Sequence, residues 1–449
     1  MKPTLIHNAL IINEQTKQKG SVLIQSEKIS KVFVEEKVSQ SLFDQCEVID
    51  AENKILIPGV IDDHVHFREP GLTHKADIHS ESRAAVAGGV TSYMEMPNTK
   101  PPAVTLERLQ EKFDIAAEKS LANYSFYLGA NNENFDQIKN INPREVCGLK
   151  VFMGASTGNM LVDDRSSLEQ IFAESPVLVA AHCEDQATIE KNTHFYEKQF
   201  NGKIPVEYHP IIRSEEACFR SSAMAVELAQ KHNTRLHLLH LSTAKELEIL
   251  ERYRFQPGKN ITAEACTHHL WFDDTDYQDY GTRIKWNPAI KAARDRKALL
   301  EGVRSDAIDV VATDHAPHLI EEKDNTYLEA PSGAPMVQHS LMVMLEFYHS
   351  KKLSLNTIVD KMCHAPADIF NISKRGYIRK GYWADLVLID PFRKHRVNKE
   401  NILYKCGWSP LEGQIFNSEI SHTFVNGKIV YQNGKIDEEK NARKLTFER

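Results

Sequence analysis

Eight short apolar runs, each followed by a helix-like or irregular segment, constrain this chain more than any other feature. They cover residues 60–67, 91–97, 124–129, 148–153, 176–183, 235–241, 261–266 and 308–313. Several are near-continuous β-branched and aliphatic stretches, the pattern of parallel strands buried on both faces. Between them lie amphipathic segments, among them 80–87, 106–119, 215–231 and 294–303. Eight strand–helix alternations predict an α/β fold, a (β/α)8 TIM barrel. A doubly wound sheet competes, but no run is followed by Gly-x-Gly-x-x-Gly or a phosphate-binding loop.

The two ends read differently. Residues 4–33 alternate in strand fashion, and after about Arg375 come further short strands with tight-turn dipeptides at Asn426-Gly427 and Asn433-Gly434. Residues 1–55 and 373–449 are therefore expected to join into one small β-sandwich-like domain beside a barrel of 56–372. The long irregular stretch 318–336, rich in proline, follows the last barrel strand and is expected to cover a substrate.

Composition limits the partners. The formal net charge is −7 with no basic run, which favours neither nucleic acid nor an anionic membrane. An anionic small molecule must then be attracted locally. The seven cysteines are scattered without Cys-x-x-Cys, which points to a reducing, cytoplasmic setting and away from thiolate zinc. No signal-peptide core opens the sequence, and no run approaches membrane-spanning length.

Barrel enzymes carry their chemistry at the C-terminal ends of the strands. The first run closes on His64-Val65-His66, two imidazoles on one face and half a metal site. The second closes on Pro97-Asn98-Thr99, the fifth on His182-Cys183-Glu184, the sixth on His240-Leu241-Ser242, and the eighth on Asp314-His315-Ala316-Pro317-His318. Lys150 interrupts the fourth run. An ammonium ion on an apolar strand is costly to bury, and burial favours the neutral amine. Such an amine can add carbon dioxide and become a carbamate, an oxygen ligand able to bridge two cations. With Asp314 and one hydroxide, that carbamate nearly neutralises two divalent ions and leaves a mildly electrophilic centre. A snorkelling side chain is the other reading of Lys150, and spacing alone leaves both open. Asp163 and Asp164 could supply a carboxylate instead, but they look like a helix N-cap.

Together these strand-end residues resemble the amidohydrolase superfamily and, within it, the dihydroorotases, over almost the whole chain. The resemblance implies two Zn2+ per subunit. His64, His66, Asp314 and N6-carboxylated Lys150 would hold one ion, and Lys150, His182 and His240 the other. Arg68 in His-Phe-Arg-Glu-Pro-Gly, Asn98 in Met-Pro-Asn-Thr, Asn287 in Lys-Trp-Asn-Pro and His318 in Thr-Asp-His-Ala-Pro-His match the family's substrate-binding set. There the arginine, the Pro-Asn-Thr asparagine and the last histidine grip a substrate carboxylate, a task that suits a planar guanidinium.

The activity implied is reversible hydrolysis of the cyclic amide of (S)-dihydroorotate to N-carbamoyl-L-aspartate, the third step of pyrimidine (UMP) biosynthesis. A metal-bridging hydroxide would attack, with Asp314 as general base and then acid. A homo-oligomer, a dimer or larger, is also implied. Some family members carry aspartate where this chain has Lys150. The rival readings are an allantoinase- or hydantoinase-type enzyme and a non-catalytic scaffold, though scaffolds of this fold typically lose ligands and all six are present here.

Four further histidines and one cysteine stand aside. His237 is expected to face away from His240 as packing, His268 and His269 to support ligands from behind or to be structural rather than to ligate, His315 to point away from Asp314, and Cys183 to be an inert thiol.

Overall fold

The computed structural model describes residues 2–154, 160–162, 164–253 and 258–449. The eight runs form parallel strands: β1 (Val60–Val65), β2 (Val90–Glu95), β3 (Asn123–Phe126, continued by Leu128–Gly129), β4 (Leu149–Phe152), β5 (Val179–His182), β6 (Leu236–Leu238), β7 (Ile261–Cys266) and β8 (Val310–Ala312). Pairing runs in sequence order from β1 to the first part of β3, and from the continuation of β3 to β8. A parallel bridge between Val65 and His315, with a 2.7 Å hydrogen bond from the His66 N–H to the His315 carbonyl, returns the last strand to the first. The barrel is therefore closed. Every residue of these strands is buried, as expected where side chains fill the inside and helices cover the outside.

The helices carry the expected local chemistry. Leu106–Lys119 starts at Thr105, whose hydroxyl accepts the Arg108 N–H, and buries Leu109, Phe113 and Ala116 along one stripe. Glu215–His232 is capped by Ser214, has Glu215 and Glu216 in its first turn and Lys231 and His232 in its last, and ends on left-handed Asn233.

Both chain ends meet in a nine-stranded sheet. Thr4–Asn13 pairs with Thr16–Gln25, Glu47–Asp50 and Ile55–Pro58, and Ile55–Pro58 pairs in turn with Leu386–Asp390 and so with Glu419–Val425 and Lys428–Gln432. Gly59 then passes the chain straight into β1, where a Cβ would stand 2.0 Å from the Thr91 hydroxyl. The last residues leave this sheet. Lys444 bridges to Tyr124 at the start of β3, and Leu445 and Phe447 pack with Ile61, Met94, Leu178 and Phe370 to close the barrel's N-terminal end. The opposite end stays open for a site.

The 318–336 segment lies against that open end. The buried Lys323 ammonium donates to the carbonyls of Lys285 and Pro331 (3.1 and 2.8 Å), and Lys285 donates to those of Tyr327 and Ala330 (both 2.6 Å). Among the described residues no helix is long and apolar enough to cross a membrane.

Candidate metal centre and active site

One cleft of about 670 Å³ at the C-terminal ends of the strands is lined by His64, His66, Arg68, Asn98, Lys150, His182, His240, Asn287, Asp314 and His318. All ten sequence-derived candidates thus come together. Three of them, Arg68, His240 and Asp314, hold left-handed backbone angles (φ 70°, 40° and 45°) just past their strands. Such strain persists only where surrounding structure imposes it, and here it turns side chains into the cleft.

His64, His66 and Asp314 form a tight buried cluster, with Asp314 Oδ1 at 3.2 Å from His64 Nε2 and 3.0 Å from His66 Nε2. Each imidazole is held from behind. Glu264 Oε1 lies 2.5 Å from His64 Nδ1, and Asn98 Oδ1 lies 2.7 Å from His66 Nδ1. Across the cleft, His182 Nε2 lies 3.0 Å from Glu184 Oε2, which also takes the Arg213 guanidinium at 2.5 Å. With those hydrogens given to Glu264, Asn98 and Glu184, the lone pairs left for ligation are His64 Nε2, His66 Nε2 and His182 Nδ1.

The donor set fits divalent cations. His182 Nδ1 and His240 Nε2 face each other at 2.8 Å, an arrangement that needs a proton or a cation between two lone pairs. Burial lowers His66 to a pKa of about 3 and holds His240 well below its ordinary value, so both rings are neutral and keep a lone pair that could ligate a cation. Lys150 is 1 % exposed, and its Nζ makes no hydrogen bond or ion pair among the described residues, standing 4.6 Å over the Phe152 ring. Burial lowers its pKa to about 8, partly offset by Asp314 and Glu264. A buried amine so poised suits carbamate formation better than snorkelling. Asp164 caps the helix Arg165–Glu174 by accepting the Ser167 N–H, as expected, while Asp163 lies outside the described residues.

A second group lines the cleft wall. Arg68 Nη2 stands 2.9 Å from His318 Nε2, and Arg68 Nε donates to the Pro317 carbonyl at 3.1 Å. With Asn98 Oδ1 turned to His66, its amide nitrogen is directed away from that ring. Asn287 Oδ1 accepts the Ser332 hydroxyl at 2.9 Å, tying the covering segment to the wall.

Sequence reasoning missed Glu264, Glu184, Arg213 and Lys75, whose Nζ lies 3.0 Å from His318 Nδ1. Glu264, a carboxylate in the middle of an apolar run, carries the same signal that singled out Lys150. His237 corrects an expectation. It is not mere packing: it lies 3.2 Å from Asp63 and 3.6 Å from Glu264 Oε2, behind the carboxylate that orients His64. Between these two acids its pKa rises to about 9 against the opposing effect of burial. His315 pairs with Glu81 at 2.9 Å, His268 stacks on Trp286, and Cys183 is buried with its thiol pushed up by desolvation.

The amidohydrolase family pattern matches residues 55–430. The chain belongs to the amidohydrolase family. Among its curated relatives are the dihydroorotases of Methanosphaera stadtmanae (31 % identical, covering 87 % of this chain and 88 % of that one) and Carboxydothermus hydrogenoformans (33 %, covering 95 % and 96 %). The dihydroorotase of Halobacterium salinarum is 34 % identical over 80 % of this chain and 82 % of its own. Among solved structures, the L-hydantoinase (dihydropyrimidinase) of Arthrobacter aurescens superposes with a TM-score of 0.92 at 24 % identity, covering 99 % of this chain and 100 % of that one. The dihydropyrimidinase of Brevibacillus agri gives 0.88 at 24 %, with full coverage of both. These likenesses bear out the barrel with its accompanying β-domain.

Proposed function

We propose that this chain is a dihydroorotase, interconverting (S)-dihydroorotate and N-carbamoyl-L-aspartate. Arg68 and His318 carry the reading: a guanidinium and an imidazole meet 2.9 Å apart in the same cleft as the His64–His66–Asp314 cluster. A ring bearing a carboxylate satisfies them, and a neutral ring leaves a buried guanidinium unpaired. The names of the curated relatives support the same substrate. The hydantoinase-like fold alone would allow a neutral cyclic amide, but it offers no use for this cation.

His64, His66, His182, His240, Asp314 and carboxylated Lys150 would hold two zinc ions. Such ions supply Lewis acidity, lowering the pKa of water and polarising the amide carbonyl. Asp314 then moves the proton. Set against those ions, its carboxylate would be ionised at neutral pH despite its burial. It accepts a proton from the attacking water and returns it to the leaving ring nitrogen, and ring closure reverses these steps. Arg68, His318 and the Asn98 amide nitrogen hold the substrate carboxylate, which fixes the scissile amide against Asp314.

A cytoplasmic homodimer completes the proposal. The seven cysteines, all free and buried, suit a reducing compartment. Calorimetric titration of the zinc-loaded protein tests the substrate assignment. Dihydroorotate should bind, and dihydrouracil, which lacks the carboxylate, should bind far more weakly. Equal binding of the two would overturn it.

A further inference from the structure

His318 faces more donors than a neutral imidazole can accept. Its Nδ1 lies 3.0 Å from Lys75 Nζ, and its Nε2 lies 2.9 Å from Arg68 Nη2 and 3.1 Å from the Ser332 carbonyl oxygen. Burial, together with Arg68 and Lys75, keeps the ring neutral, so it has one lone pair and one N–H. Ammonium and guanidinium groups donate only. The ring must therefore accept from one of these cations and turn its N–H toward the other.

The surroundings decide which. An Nε2–H has an acceptor in the Ser332 carbonyl. An Nδ1–H has a far poorer one: Glu322 Oε2 is 3.7 Å away, beyond ordinary hydrogen-bond reach, and is turned to the Leu319 N–H at 2.9 Å. Glu322 Oε1 is paired with Lys75 at 2.7 Å, which holds the ammonium against Nδ1. The hydrogen belongs on Nε2.

We infer that Lys75 is a positioning residue that sets the His318 tautomer, so that His318 Nε2–H and the Arg68 guanidinium both donate to one oxygen of an anionic substrate. The inference rests on the carboxylate reading above. Without substrate, the two N–H groups oppose each other. A carboxylate oxygen within reach of both nitrogens, drawing the Nε2–H away from the Ser332 carbonyl, converts that opposition into two hydrogen bonds, one of them from a full cation. Lys75 and Glu322 thereby act on substrate without touching it.

Nitrogen-15 spectra of histidine-labelled, zinc-loaded protein test this, with the His318 signals assigned by their loss in His318→Ala. Native protein should show Nε2 protonated and Nδ1 bare. In Lys75→Met, Glu322 becomes the charged group nearest Nδ1 while Arg68 still faces Nε2, and the proton should shift toward Nδ1. The KM for dihydroorotate should then rise about tenfold while kcat stays within about twofold, and Lys75→Arg should restore both readouts. Nδ1 protonated in the native protein, or a tautomer indifferent to Lys75→Met, overturns the inference. If His318→Ala raises KM while the tautomer ignores Lys75, only this inference fails. If His318→Ala leaves KM unchanged, the carboxylate reading fails with it.

Discussion

Glu264 Oε1 stands 2.5 Å from His64 Nδ1 and also accepts the His240 backbone N–H at 2.9 Å. One buried carboxylate on β7 thus fixes a candidate ligand from β1 and the backbone that presents another after β6. Its other oxygen faces His237, which faces Asp63, so the orienting charge is itself held in place. Glu264→Gln keeps the volume and removes the charge. Zinc affinity should fall by about 10- to 100-fold, the usual effect of losing a carboxylate behind a ligating imidazole. Competition against a chromophoric chelator measures it, and unchanged affinity would deny Glu264 this role.

Lys150→Ala should remove the one candidate ligand shared by both ions. Metal content after dialysis, read by plasma emission, should drop from two zinc ions per chain to one or fewer, with turnover at background. Short carboxylic acids added with zinc should recover part of the activity by occupying the vacated space. Full zinc content in Lys150→Ala would show that the histidines and Asp314 suffice without it.

Arg68→Ala should cost about 2–5 kcal/mol of substrate interaction, the usual price of truncating a buried charged pair, or roughly 30-fold to several-thousand-fold in kcat/KM. Arg68→Lys should recover little, because an ammonium cannot reproduce the planar fork that also bonds the Pro317 carbonyl. Steady-state kinetics at fixed zinc decide the matter. Equal kinetics for native and Arg68→Ala protein would remove Arg68 from the site.

Much of this was legible in the chain itself. The runs at 60–67 and 91–97 end as strands at Val65 and Glu95. The residues just beyond leave the ladder to carry function: Pro97 cannot donate to it, and Arg68 turns left-handed. The candidate ligands were readable because a histidine or lysine at the end of an apolar run conflicts with its surroundings. Glu184, Arg213 and Lys75 were not. Lys75 meets His318 across 243 residues, and Arg213 meets Glu184 from a separate helical segment, so no local spacing announces either contact. The strand character of both ends was evident, but their joining through Ile55–Pro58 and Leu386–Asp390 is a tertiary choice that periodicity does not encode. His237 was misjudged because its partners, Asp63 and Glu264, come from two other strands.

Acid should destabilise the fold through buried neutral histidines. His339 is fully buried, lies 3.0 Å from the Tyr404 hydroxyl, and is held at a pKa of about 3 chiefly by desolvation. Between its ordinary value near 6.5 and about 3, the unfolded chain binds a proton that the folded one refuses. Stability is therefore lost as pH falls through that window, by about 2 kcal/mol from this residue between pH 7 and pH 5. Urea unfolding of His339→Gln should show a pH 7 to pH 5 decrement smaller by about that amount. An identical decrement in both proteins would mean His339 is protonated in the fold.

Turnover on a substrate panel decides between a carboxylate-bearing and a neutral ring: zinc- and bicarbonate-loaded protein assayed with dihydroorotate, hydantoin and allantoin in parallel. Hydrolysis of dihydroorotate is expected, with its re-formation from N-carbamoyl-L-aspartate, and neither neutral ring should be consumed at a comparable rate. Turnover of hydantoin or allantoin with dihydroorotate untouched would contradict it, leaving the metal centre in place and the role of Arg68 and His318 misassigned.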